Sequence, residues 1–155
     1  MYKKILVPLD GSEFSECSLP HVKAIALGCS VPDVILLRVV EPILNPDVVA
    51  TAPLAQDWMK QVEEENYAKT EDYLETLASN LKKEGISAQT VLREGKTADE
   101  VLAYASKNGI DLIVMSTHGR SGVARWFLGS VAERIARYSP VPVLLVRPPG
   151  LHPAT

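Results

Sequence analysis

Residues 112–131 read Leu112-Ile-Val-Met115-Ser-Thr-His-Gly119-Arg-Ser-Gly122-Val-Ala-Arg125-Trp-Phe-Leu-Gly129-Ser130-Val131, an unbroken apolar run that passes through a glycine-rich loop into the start of a helix. An apolar run without polar alternation suits a strand covered on both faces, the condition of a strand inside a parallel sheet. Three more runs have the same character: Ile5-Leu-Val-Pro-Leu9, Val34-Ile-Leu-Leu-Arg-Val-Val40 and Val141-Pro-Val-Leu-Leu-Val146. A fifth strand is expected over residues 88–92, where apolar and polar residues alternate. Segments of helical period separate these runs, giving the βαβ alternation of an open α/β sheet.

The first helix is expected over residues 13–27, with Phe14, Cys17, His21, Val22 and Ile25 near one face and Pro20 as a kink or a delayed start. A long second helix covers residues 57–84, with Val62, Tyr73, Leu74, Leu77 and Leu81 at helical spacing and Gly85 as its stop. Before it, residues 42–53 hold Pro42, Pro46 and Pro53 and read as a loop that can cover a site or carry partner contacts. Thr97-Ala98-Asp99-Glu100 and Ser130-Val131-Ala132-Glu133 each have the form of a capping box and start the third and fourth helices. Asn108-Gly109 and Ser139-Pro140 end them.

With 155 residues the chain fits one domain and one core. Hydrophobic residues make up 46% and charged residues 23%, and the formal charge of -3 comes with no long run of either sign, which argues against a nucleic-acid partner. Only a short apolar stretch precedes Asp10, and nothing later approaches the roughly eighteen apolar residues of a membrane span, so a cytoplasmic location without a membrane partner is expected. Cys17 and Cys29 have neither CxxC spacing nor histidines to share a metal with, and buried reduced thiols are expected.

Ligands of open α/β sheets bind past the carboxyl ends of the strands, which is where residues 116–131 fall. Gly119 and Gly122 let backbone approach a phosphate, Arg120 and Arg125 supply charge, and Gly129-Ser130 presents amides at a helix start. A polyphosphate suits this combination. Glycines that only make turns, and a Ser130 that only caps its helix, account for the same spacing. Neither GxxxxGK[ST] nor GxGxxG after the first strand is present. No carboxylate pair, nucleophile with base, or metal cluster can be assembled, and His118 reads as a solvated loop histidine.

Lys3-Lys-Ile-Leu-Val-Pro-Leu-Asp10-Gly-Ser12, Ser116-Thr-His-Gly-Arg-Ser-Gly122 and Leu128-Gly-Ser-Val-Ala-Glu-Arg134 together resemble the universal stress protein family, over about residues 2–147. ATP-binding members carry Gly, two residues, Gly, nine residues, then Gly followed by Ser or Thr. Gly119 and Gly129-Ser130 match that pattern, while Ser116 stands where the first Gly would be.

The resemblance implies a five-stranded parallel, Rossmann-like sheet of order 3-2-1-4-5 with helices on both faces over residues 1–147, followed by a loose tail, 148–155. It implies a regulatory stress-response protein that binds ATP, with any Mg2+ held through the phosphates. Pro8, Val39 and Met115 would sit by the adenine, Asp10 by the ribose, and Gly119, Arg120, Ser121, Gly129 and Ser130 by the phosphates; Ser116, Thr117, His118 and Val131 complete the set. Sheet core for Pro8, Val39 and Met115, and a helix cap for Asp10, are the plainer readings of those four. Hydrolysis is expected to be slow at most. The alternatives are a slow ATP hydrolase and a dimeric interaction protein of this fold without nucleotide. A homodimer is expected through Val141 to Val146, which the resemblance puts at the sheet edge with no charge to guard it.

Overall fold

The structure is a computed structural model that describes residues 1–42, 53–118 and 128–150. The elements run β1 (Lys4–Leu9), α1 (Glu13–Glu16), α2 (Leu19–Gly28), β2 (Asp33–Val40), α3 (Pro53–Lys83), β3 (Ala88–Glu94), α4 (Thr97–Lys107), β4 (Leu112–Ser116), α5 (Ser130–Tyr138) and β5 (Val143–Val146). All strand pairs are parallel, in the order β3-β2-β1-β4-β5.

The apolar runs become doubly covered strands. Ile5, Val7, Val34, Leu36, Leu112 and Val114 face α2 and α3, where Val22, Leu74, Ala78 and Leu81 meet them. Leu6, Ile35, Leu37, Ile113 and Met115 face α4 and α5, meeting Val101, Ala105, Ala132 and Ile135. Each such side chain contributes about 1.5–3 kcal/mol by leaving water, so burial on two faces fixes both the pattern and the register.

β1 pairs with β2 from Lys4↔Asp33 to Leu9↔Arg38, but with β4 only at Ile5↔Leu112 and Leu6↔Ile113. The two central strands therefore part toward their carboxyl ends, and a cleft opens where the chain order reverses.

The last two helices start where expected, at Thr97 and Ser130, while the first two differ. The first helix is two pieces: Ser12 accepts from the Ser15 amide and caps α1, and α2 begins afresh at Leu19. Pro20 thus falls in a first turn, because in a helix interior its ring would meet the carbonyl of residue 16. The restart changes the phase, so His21 is exposed, while Leu19 and Ala26 join the expected Val22 in the buried set. Cys29 is also exposed and Cys17 half-buried, against the expected burial, and both are free thiols. The long helix starts at Pro53, four residues earlier than its period suggests, and stops at Gly85, whose φ of +83° suits glycine. Residues 43–52 of the preceding loop lie outside the described residues.

Candidate functional site

A cleft of about 580 Å³ opens at the carboxyl ends of β1, β2 and β4, within the usual range for a small-molecule site. Pro8, Asp10, Val39, Met115, Ser116, Thr117, His118, Gly129, Ser130 and Val131 all line it. Gly119, Arg120 and Ser121 lie outside the described residues, as do Gly122 and Arg125.

The α4 and α5 side of the cleft is an apolar slot. Pro8, Leu37, Val39, Met115 and Val101 line it and are buried, with Val131 half-buried at its end. Leu37, Val39, Val101, Met115 and Val131 belong to the core layer under α4 and α5, so for Val39 and Met115 the plain core reading and the slot reading describe the same side chains seen from two sides.

At the other end, the loop after β4 is tied back onto the sheet. The Thr117 amide donates to the Val146 carbonyl (2.8 Å), and the Thr117 carbonyl accepts from the Gly129 amide (2.9 Å). A Cβ on Gly129 would lie 3.2 Å from that carbonyl oxygen, tighter than most side chains tolerate. Glycine at 129 is therefore required for close approach of two backbones, beside any part it has in ligand contact.

Gly129 is the N-cap of α5, and among the described residues no side chain caps the helix. The expected box does not form: Ser130 is the first helical residue, and the Glu133 amide donates to the Gly129 carbonyl within the helix. Among the described residues the α5 start therefore presents amides and the positive end of the helix dipole to the cleft with no acidic side chain on its first amides, Glu133 being the acidic residue of its first turn.

The α4 start differs. Lys96 occupies the N-cap position and makes no side-chain cap. Glu41, just past β2, takes the role: its Oε1 accepts from the Thr97 amide (3.2 Å) and the Thr97 hydroxyl (2.9 Å). The Thr97 backbone N–H, and then its hydroxyl, hold the Glu41 carboxyl below the ordinary carboxylate range. Thr97 is thus not the capping residue that its sequence pattern suggests.

Asp10 is half-buried, and its Oδ1 accepts from the Ser12 amide (2.9 Å) and from the Ser12 hydroxyl. It braces the residue that caps α1 and is not itself the cap. Ser116 is buried; its Oγ accepts from the His118 amide (3.2 Å) and lies 3.6 Å from the Cys17 thiol. The hydroxyl that replaces a glycine thus organises the first turn of the loop. His118 Nδ1 shares a hydrogen with the Thr117 hydroxyl at 2.8 Å.

The sequence reading missed Ser15, Arg38, Glu41, Asn66, Thr70 and Thr97, which also line the cleft. Arg38 had a visible signal, a cation inside an otherwise apolar strand run. Asn66 and Thr70 had none, because α3 reaches the cleft only through tertiary packing. The Tyr67 hydroxyl donates to Glu94 (2.7 Å) and anchors this part of α3 to the end of β3; that bond is the main cause pushing the Tyr67 phenol up to about 12. Among the described residues no group of three or more His, Cys, Asp or Glu is placed to hold a metal ion, and no helix is long and apolar enough to cross a membrane.

The universal stress protein family model matches residues 1–147. Universal stress protein MJ0577 of Methanocaldococcus jannaschii is 35% identical over 156 residues, which cover 95% of this chain and 96% of that one. The solved structure of MJ0577 superposes with a TM-score of 0.82 at 29% identity, covering 97% of this chain and 99% of the other. A universal stress protein family member from Arabidopsis thaliana, solved with AMP bound, has the same fold at TM-score 0.67 and 17% identity, covering 96% and 93%. A universal stress protein solved in complex with cAMP does so at TM-score 0.64 and 22% identity, covering 94% and 97%. With a family match along nearly its whole length and the same fold in three dimensions, the chain belongs to the universal stress protein family.

Proposed function

We propose that this protein binds ATP in the cleft at the β1–β4 divergence and acts as a regulatory nucleotide-binding protein. The observation that carries this reading is one cleft lined by every described member of the predicted set, with an apolar slot at one end and, at the other, a helix start whose first amides meet no acidic side chain among the described residues. A flat base suits the slot by Pro8, Val39 and Met115, and a ribose suits Asp10, whose carboxylate accepts hydrogen bonds. The phosphates would lie against Gly129, Ser130 and Val131 at the α5 start, together with Gly119, Arg120 and Ser121. Mg2+ would be held through the phosphates. The relatives solved with AMP and with cAMP support a nucleotide in this fold.

The cleft supplies binding groups but no identified residue that activates water, so hydrolysis is slow, below about one turnover per second. The unit of function spans residues 1–147, with 148–155 as a tail, in the cytoplasm. It pairs through β5 into a homodimer and takes neither nucleic acid nor membrane as a partner. Denaturing the purified protein and identifying the released nucleotide, with thermal melts in millimolar ATP, tests the binding reading: ATP raises Tm by mass action. No released nucleotide and no shift leave the alternative, a dimeric interaction protein of this fold without nucleotide.

A further inference from the structure

We propose that Glu41 orients the nucleotide in the cleft and selects a base that carries an exocyclic amino group. The inference rests on the nucleotide reading and concerns a side chain outside the predicted set. The starts of α4 and α5 both line the cleft, and each would attract an anion by its amides and dipole. At α4 that attraction is already met: Glu41 Oε1 takes both the amide and the hydroxyl of Thr97. A phosphate arriving there meets a carboxylate. At α5, among the described residues, no side chain accepts from the first amides, so the phosphate end of the ligand goes to Gly129 and the base goes toward Glu41 and Thr97.

The second consequence follows from which oxygen is used. Both bonds from Thr97 end on Oε1, and among the described residues Oε2 has no hydrogen-bond partner. Glu41 lines the same cleft as Leu37, Val39 and Val101 of the apolar slot, at its solvent-facing rim. A carboxylate oxygen only accepts, so it favours the amino group of adenine and disfavours the oxo group of hypoxanthine, which would bring two acceptors together. The tie between β2 and α4 spans 56 residues of chain and holds the carboxylate in place without the ligand.

Calorimetric titration of the purified full chain with ATP and with ITP tests this, since the two differ at the exocyclic group, amino against oxo, and at the neighbouring N1, an acceptor in adenine and an N–H donor in hypoxanthine. Wild type binds ATP about tenfold more tightly than ITP, the low end for a charge-assisted hydrogen bond because the rim is wet. Glu41→Gln reverses the preference: the amide oxygen stays with Thr97, and the amide NH2 turns to the cleft and donates to the oxo group. Thr97→Val, which removes one of the two donors holding the carboxylate, narrows the preference. Wild-type affinities for ATP and ITP within about twofold, or a Glu41→Gln preference equal to that of wild type, overturn the assignment. Should Glu41→Gln fail to fold, an unchanged preference in Thr97→Val overturns it. Binding of neither nucleotide by wild type removes the nucleotide reading as well, which separates the two failures.

Discussion

The Gly129 amide and the Thr117 carbonyl lie 2.9 Å apart, and that short bridge holds the start of α5 against the end of β4. Any side chain at 129 puts its Cβ 3.2 Å from the same oxygen. Gly129→Ala therefore perturbs both the bridge and the phosphate end of the cleft. It should lower the Tm of the free protein by about 2–4 °C, corresponding to about 1 kcal/mol in a domain of this size, and sharply reduce the further rise produced by ATP. Differential scanning calorimetry with and without ATP checks both effects. A variant with unchanged ATP affinity would show that α5 does not meet the phosphates.

Ser116 is buried and gives the His118 amide its acceptor. Ser116→Ala leaves that amide to find another partner and should destabilise the protein by about 1–2 kcal/mol in urea unfolding. Ser116→Gly loses the same bond and adds backbone freedom, so it should be at least as destabilised even though it restores the family's glycine. Equal unfolding midpoints for wild type and Ser116→Ala would contradict this role.

Asp111 ties the start of β1 to the chain entering β4. Its Oδ2 accepts from the amides of Lys3 (2.8 Å) and Lys4 (2.9 Å), and those bonds lower its carboxyl from the ordinary value. A depressed folded-state pKa contributes stability that is present above the unfolded value, about 3.9, and is lost as pH falls through the folded one. Asp111→Asn should thus be less stable than wild type at pH 7, and the gap should close below about pH 4. Urea midpoints measured from pH 7 to pH 2.5 decide it; a gap that stays constant would remove the linkage.

Among the described residues β5 pairs with β4 alone, and Leu144 on β5 and Tyr138 at the end of α5 are exposed. Leu145 packs against the core under α5, so a charge there would disturb the fold as well as an interface. Leu144→Lys is the cleaner test of pairing through this strand. Sedimentation equilibrium should give wild type twice the 16.9 kDa chain mass and Leu144→Lys a mass shifted toward the single chain. A monomeric wild type would exclude the dimer, and an unaffected variant would move the interface elsewhere.

The sheet was legible in the chain because a strand buried on both faces admits few polar residues. The runs at Ile5, Val34 and Leu112 each became a strand within a residue or two of the expected bounds. The last strand began at Val143 and not Val141, since Pro142 has no amide to give the ladder, although its carbonyl accepts from the Ile113 amide. The order of the strands came from the resemblance, because period and composition carry no information on which strands are neighbours.

The helix starts at Thr97 and Ser130 were legible, but their caps were not. Thr97 and Ser130 both sit at the head of a capping-box pattern, yet neither caps its helix. Orphan amides at a helix start accept whichever acceptor lies nearest in space, and folding brought Glu41 to Thr97 from the end of another strand. Apolar burial and the glycine-rich loop are properties of neighbouring residues, so the sequence by itself determined the strands and the region of the cleft. Glu41 over Thr97, Asn66 and Thr70 in the same cleft as Arg38, and the Thr117–Gly129 bridge join residues far apart in the chain or across a loop. Only the tertiary structure decided them, because hydrogen bonds and packing act over a few ångströms in space and are blind to separation along the chain.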